Sequence, residues 1–503
     1  MRRREFLVSA AVASVGAAVP LTAHSQPAQI VYLDAISLSK AIHSREVSCV
    51  EVMAAYLEQI ATYNKTFNAI VSMADLEVLL AAAQKADQDL ASGLDRGWMH
   101  GFPIAIKDLA NAKGFITTSG SPIFANSVAA ADSVHVARMK AAGGIVIGKT
   151  NVPEFGLGSQ SYNRVFGATK SAFNSNKTAG GSSGGAASAL GLRMLAVADG
   201  SDMMGSLRNP GAFNNVIGFR PTPGVVPLGA DLAETLACNG PMARTVTDTA
   251  RLLATIAGPD QRVPNALPID PNQFNHSLKR DWQGRRIGWL GDFDGYLPTE
   301  PGVMDVCETA LQGFRAAGFQ VDAFDLSYSM ADLWQTWLTY RHWGNRARAM
   351  AMYKDPVMRA QLKPELIWEI EGGAKYTAEN VAAAMSARGR WYQTLVQAFT
   401  KVDFLVLPTA QVFPFDADTH WPKEIAGKQM DTYHRWMEVV VPGTMSGCPV
   451  INVPAGFSSA GLPMGLQIIG PRYRDFEVLQ AAYAYEQASR WNLDHLPPVL
   501  TEG

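Results

Sequence analysis

Two glycine-rich stretches hold Ser182, Ser183 and Ser206: Gly180-Gly181-Ser182-Ser183-Gly184-Gly185, and Gly200-Ser201-Asp202-Met203-Met204-Gly205-Ser206-Leu207-Arg208. Glycine admits positive φ and lets the backbone approach a ligand closely. Turns of this kind can aim several N–H groups at one point and hold a developing negative charge. A serine inside one could attack a carbonyl and stabilise the resulting oxyanion, which is acyl-transfer chemistry. A lysine adds a base. In Gly101-Phe102-Pro103-Ile104-Ala105-Ile106-Lys107-Asp108 an apolar run leads straight into Lys107, so its side chain starts inside a sheet. A buried lysine must be paired or neutral; Asp108 is the partner at hand, and without one the amine is a base.

Three other short patterns fail on context. Gly143-x-x-x-x-Gly148-Lys149-Thr150 has the spacing of a phosphate loop, but Ile145-Val146-Ile147 is strand material where the loop should curl, and a helix precedes it. Ser37-x-x-Lys40 lacks downstream Ser-Asp-Asn and Lys-Thr-Gly partners and reads as a helix start. Gly181-x-Ser183-x-Gly185 matches a nucleophile elbow, yet 172–179 reads as polar loop where that motif needs a strand. Histidines 276, 342, 420, 434 and 495 follow it, so a Ser-His-Asp esterase using Ser183 stays open as the alternative mechanism.

These residues need a scaffold, and the pattern supplies one. Helical spacing runs from Asp34 to about Ser92, followed by a strand ending at Lys107, a helix at 134–142 and a strand at 145–147. Helices at 186–195 and 245–257, a strand at 287–290, a helix at 303–317 and a strand at 319–324 continue the alternation. A mainly helical elaboration covers about 330–400. A strand at 404–407, a helix near 436–445, strands at 451–453 and 465–469 and a last helix from about 477 complete the chain. The expectation is a single α/β domain over 26–503, with a mixed, mostly parallel central sheet covered by helices on both faces. Apolar residues are 48% of 503 and charged ones 17%, against about 25% in an average domain, which favours a large core. A net charge of −2 without a basic stripe argues against nucleic acid as a partner.

Arg2, Arg3 and Arg4 precede Glu5-Phe6-Leu7 and a weakly apolar segment ending near Ala23-His24-Ser25. This order is that of a twin-arginine export signal over residues 1–25, and implies a periplasmic or secreted protein with no stable membrane span. Cys49, Cys238, Cys307 and Cys448 are widely spread and form no Cys-x-x-Cys, and no histidine pair has metal-site spacing. Neither metal nor cofactor is expected.

Taken together, the lysine and the serines resemble the amidase signature enzymes. The resemblance runs through Gly101-Phe102-Pro103…Lys107-Asp108, Gly148-Lys149-Thr150-Asn151-Val152-Pro153-Glu154-Phe155, the double serine turn and Gly240-Pro241-Met242-Ala243-Arg244. It continues in the stretch from Gly447-Cys448-Pro449 to Gly456-Phe457 and in Gly461-Leu462-Pro463-Met464-Gly465-Leu466-Gln467. It implies the amidase signature fold and hydrolysis of a small-molecule amide to acid plus ammonia or amine, with an acyl-serine intermediate. It further implies Ser206 as nucleophile, Ser182 as bridging serine after a cis Gly181–Ser182 bond, and Lys107 as base. Ser183 would help hold the lysine, Asp202 and Arg208 would brace the turn, and the N–H groups of Met203, Met204, Gly205 and Ser206 would receive the carbonyl oxygen. The base requires a lysine pKa lowered from about 10.4 to roughly 7–8, which burial can produce.

One position departs from the family pattern. Two glycines usually precede the nucleophile, whereas Met204 stands before Gly205 here. Positive φ at Met204 would be strained, or its side chain would enter the acyl pocket. Trp421, Tyr433, His434, Trp436 and Met437 form an aromatic-rich stretch, with Tyr433, His434 and Trp436 read together with Met204 as pocket-lining residues. The rival readings are a glutaminase subunit of a tRNA-dependent amidotransferase, which the export signal opposes, and a non-catalytic periplasmic binding protein on the same fold. The sequence is compatible with a homodimer.

Overall fold

The computed structural model describes residues 27–501, so the export signal read at 1–25 lies outside the described residues. The largest sheet has eight strands in the order Gln320–Ala323, Arg286–Trp289, Phe404–Pro408, Pro463–Ile469, Val450–Phe457, Ile217–Arg220, Cys238–Ala243 and Val197–Asp202. Every residue of Phe404–Pro408 and Pro463–Ile469 is buried, which requires cover on both faces. Helices Arg208–Phe213, Val303–Ala316 and Asp475–Ser489 pack against these central strands. A sheet flanked by helices is the expected class.

Strand direction is not as expected. Five of the seven neighbouring pairs are antiparallel, and only Arg286–Trp289 pairs in parallel with its neighbours. Parallel neighbours need a crossover of a dozen or more residues, and helix Val303–Ala316 provides one between Arg286–Trp289 and Gln320–Ala323. Val450–Phe457 returns instead through a tight turn at Gly461 (φ 73°) and pairs antiparallel with Pro463–Ile469.

A second sheet places Ile145–Thr150 between Ile70–Val71 and Pro103–Lys107. Its edge strand Pro103–Lys107 packs beside Val197–Asp202, the edge strand of the large sheet. Among the described residues no ladder joins the two edges. The Asp199 carboxylate spans the seam by accepting the Lys107 main-chain N–H at 2.9 Å. From 330 to 398 the chain runs through helices Met330–Lys354, Pro356–Arg359, Pro364–Gly372 and Ala378–Ala398, burying Trp334, Trp337 and Trp391. All four cysteines are buried and unpaired.

Val197–Asp202, Ile217–Arg220 and Cys238–Ala243 are strands that apolar patterning does not reveal. They carry Gly200, Gly218, Gly240, Pro241 and Arg220, and carbonyl oxygens lie directly against Gly218 and Gly240. A Cβ on Gly218 would stand 2.1 Å from the Leu207 carbonyl oxygen, so the turn bearing Ser206 rests directly on this strand.

Glu486 ties helix Asp475–Ser489 to helix Val246–Ile256: its Oε1 accepts the Val246 N–H at 2.9 Å and an Asn492 amide N–H at 2.7 Å. Burial pushes its carboxyl from 4.5 up to about 7. Between those values the unfolded chain has lost this proton while the folded chain keeps it, so this group's contribution to stability falls as pH rises through the window. Glu486→Gln keeps the acceptor and removes the titration. Its unfolding midpoint is expected to depend less on pH than the wild type's between about pH 4.5 and 7, measured by thermal melts across that range.

Candidate active site

Lys107 ends a strand whose five residues are all buried, and is itself 1% exposed. Neighbouring side chains on a strand point to opposite faces, and Lys107 and Asp108 accordingly take different partners. Asp108 turns to Lys149 at 3.5 Å and to the Thr118 hydroxyl and N–H. The Lys107 amine is left among oxygens: Ser182 Oγ at 2.9 Å, Ser183 Oγ at 2.8 Å, Ser201 Oγ at 3.0 Å and the Ser201 carbonyl at 3.1 Å. No carboxylate forms an ion pair with it among the described residues. Burial lowers its pKa to about 7, against weaker upward pulls from Asp199, Asp202 and Cys238.

Ser182 follows a cis Gly181–Ser182 peptide. The flanking turn is tied down on both sides: the Ser159 hydroxyl donates to the Gly181 carbonyl at 2.6 Å, and the Ser161 N–H to the Gly180 carbonyl at 2.9 Å. Ser183 opens helix Gly184–Gly191 and is fully buried. A short strand, Asn174–Thr178, precedes this turn where the sequence reads as loop, but it pairs with Lys170–Ser171 and bridges to Asp416, outside the main sheet.

Ser206 sits on the turn between strand Val197–Asp202 and helix Arg208–Phe213. Asp202 organises that turn. Its carboxylate accepts the N–H groups of Gly205 at 2.9 Å and Leu207 at 3.1 Å, and both Arg208 Nε and Nη2 at 3.0 Å. Arg220 approaches the same carboxylate at 3.3 Å. Arg208 and Arg220 hold the Asp202 carboxyl far below the usual carboxylate range despite full burial. Positive φ falls on Gly205 (79°), and Met204 is free of it. A Cβ on Gly205 would meet Asn209 Oδ1 at 2.3 Å, so this glycine cannot be replaced without displacing the turn.

A cavity of about 1030 Å³ opens over these groups, and Lys107, Ser182, Met203 and Ser206 line it. Ser206 and Ser182 are 7% and 3% exposed, and among the described residues no hydrogen bond joins them. The N–H groups of Met203, Met204 and Ser206 meet no acceptor among the described residues, whereas the Gly205 N–H is taken by Asp202. Of the four donors expected for an oxyanion, three are therefore free.

The expected pocket residues lie elsewhere. Met204 is buried in the core and Met203 faces the cavity instead. Tyr433, His434 and Trp436 do not line the cavity: the Tyr433 hydroxyl donates to Glu369 at 2.7 Å, His434 stacks on Tyr433, and Trp436 packs on Phe213 and Phe415. Aromatic density here marks core packing. Ser183 does not fit as an esterase nucleophile, since it is absent from the cavity lining and no histidine among the described residues contacts it; His342 and His434 gather at Glu369, and His420 stacks on Tyr162. Sequence reasoning passed over Ser201, which holds the lysine, and Asp199, whose signal was a lone carboxylate in the small-residue run 196–200. It also passed over Arg341, a cavity-lining cation held by Glu369 at 2.8 Å and by the Tyr433 hydroxyl at 2.9 Å.

Residues 51–479 match the family model described as Amidase. A glutamyl-tRNA(Gln) amidotransferase subunit from Thermosynechococcus vestitus is 32% identical over 478 residues, covering 90% of this chain and 98% of its own length. An acylamidase of Rhodococcus erythropolis is 31% identical over 476 residues, covering 92% and 96%. The crystal structure of a bacterial aryl acylamidase of the amidase signature family superposes with a TM-score of 0.85 at 27% identity, covering 92% of this chain and 98% of that one.

Asp202 offers a test of the turn's dependence on one buried charge. Asp202→Ala strands Arg208 and Arg220 unpaired in the core and frees two turn N–H groups. A loss of about 3–5 kcal/mol in unfolding free energy is expected from denaturant titration.

Proposed function

The chain belongs to the amidase signature family, a family of amide-hydrolysing enzymes, and from that membership we propose that it cleaves a small carboxylic amide through an acyl intermediate on Ser206. The reading rests on one observation: a buried lysine amine, with its pKa lowered to about 7, stands 2.9 Å from Ser182 Oγ in a cavity that Ser206 also lines. A neutral amine has two N–H donors and one lone pair. The Ser201 carbonyl can only accept, so it takes one N–H, and a hydroxyl can turn its proton toward the lone pair.

In the proposed reaction, Lys107 takes the Ser182 proton as Ser182 takes the Ser206 proton, and Ser206 Oγ bonds to the amide carbon. The oxyanion is received by the N–H groups of Met203, Met204 and Ser206; losing one such donor costs about 10²–10³ in turnover in other enzymes. On collapse the C–N bond breaks and the proton returns through Ser182 to the leaving amine. Water then attacks the acyl-serine, with the same relay as base, and releases the acid.

The substrate reading is an N-acyl amide, in keeping with the acylamidase relatives. The similarity to an amidotransferase component supports glutamine as a second candidate. Ammonia release from glutamine without hydrolysis of an acyl anilide would favour the latter. We also propose that residues 1–25 direct export to the periplasm; Arg3→Lys with Arg4→Lys should retain a reporter fusion in the cytoplasm, as read by cell fractionation.

A fluorophosphonate probe tests the nucleophile. Mass spectrometry should find the adduct on Ser206, and Ser206→Ala should abolish labelling and lower hydrolysis by about 10⁴-fold or more with its thermal unfolding unchanged. An adduct on Ser183 would sink the assignment. Only the neutral amine accepts a proton, so kcat/KM should rise with pH through a limb centred near 7, and Lys107→Ala should remove that limb.

A further inference from the structure

Beneath the lysine lies a buried carboxylate that the reaction above leaves unused. Asp199 is 1% exposed and lines the cavity. Its Oδ1 accepts the Lys107 main-chain N–H at 2.9 Å, and its Oδ2 is 3.1 Å from His135 Nε2. His135, also 1% exposed, comes from helix Val134–Ala141. Its Nδ1 lies 3.2 Å from the Asn239 amide nitrogen, which also reaches the Pro227 carbonyl at 3.3 Å. That second contact fixes the amide's direction: Asn239 donates, His135 Nδ1 accepts, and the imidazole proton sits on Nε2. Two N–H donors, from the Lys107 main chain and from His135 Nε2, therefore hold the carboxylate.

The neighbouring charges are already spoken for. Lys149 pairs with Asp108, and Asp202 is held by Arg208 and Arg220. The Cys238 thiol, pushed up to about 12 by burial, keeps its proton. Lys149 also feels the Asp199 charge but already has Asp108 in contact, whereas Lys107 has no carboxylate paired with its amine.

We propose that Asp199, held by His135 and Asn239, is a positioning residue for the reaction: it anchors the Lys107 main chain across the seam between the two sheets and supplies the buried negative charge against which the lysine amine works. This rests on Lys107 as the base. Burial drives the amine toward its neutral form, and Asp199 is the largest opposing pull. Without that pull the amine would stay neutral to lower pH and be a weaker base at the working pH.

The test follows the pH dependence of fluorophosphonate acylation at Ser206 in active-site-titrated enzyme. Asp199→Asn keeps an amide oxygen for the Lys107 N–H and removes the charge; its acid limb should move down by roughly one pH unit, with a slower plateau. His135→Leu takes a donor from Asp199 and leaves lysine as its chief counter-charge, so its limb should move up. A merely structural pair would reduce the folded fraction and move neither midpoint. Either variant suffices if the other fails to fold, and an unmoved midpoint in the variant that folds overturns the role. Lys107→Ala separates the two readings. If it retains the wild-type limb, lysine is not the base and both readings fall; if it abolishes the limb while Asp199→Asn and His135→Leu leave it in place, only the Asp199 role falls.

Discussion

An amine buried without an ion pair shapes this molecule more than any other contact. Lys107 ends a fully buried strand, its sequence neighbour Asp108 faces a different lysine, and four serine oxygens, two from the Ser182 turn and two from Ser201 on strand Val197–Asp202, surround its nitrogen. Charging that amine would cost desolvation that hydroxyls and a carbonyl offset only in part. The lysine therefore stands ready to accept a proton near neutral pH, and the serine turns are built around that readiness.

Holding the turns takes a second, opposite device. Asp202 stays ionised in the core because Arg208 and Arg220 surround it, and its oxygens tie down two N–H groups of the Ser206 turn. One buried carboxylate with two cations thus fixes the geometry of the turn, while one buried amine is left without a counter-ion in contact. The two lie at neighbouring strand ends, where the edge of the small sheet meets the edge of the large one. An edge-to-edge seam leaves main-chain groups unpaired, and Asp199 covers the Lys107 N–H there.

Met204 illustrates how local tolerance depends on which residue carries the unusual torsion. The turn places positive φ on Gly205 alone, so a methionine one residue earlier costs no backbone strain and serves as core. Met203 reaches the cavity in its place. The aromatic stretch near Tyr433 follows the same logic. Its rings bind Glu369 and Arg341 from behind the cavity wall, and only Arg341 of that network reaches the lumen.

The fold class was legible in the order of the residues, and so were Lys107, Ser182 and Ser206, which the structure gathers at one cavity. An apolar run entering Lys107, glycines around Ser182 and Ser206, and alternating helix and strand patterns are local signals, and local signals are what a sequence carries. It did not disclose the antiparallel order of the large sheet, because direction depends on whether a connection crosses over or turns back. Nor did it reveal strands such as Ile217–Arg220, where glycine and arginine answer to packing by distant backbone. Only the tertiary structure decided which acid pairs with which lysine, which N–H groups remain free, and that Asp199 and His135 meet across 64 residues of chain. Those outcomes depend on burial and on angles between separate elements, and neither quantity is written in the order of the residues.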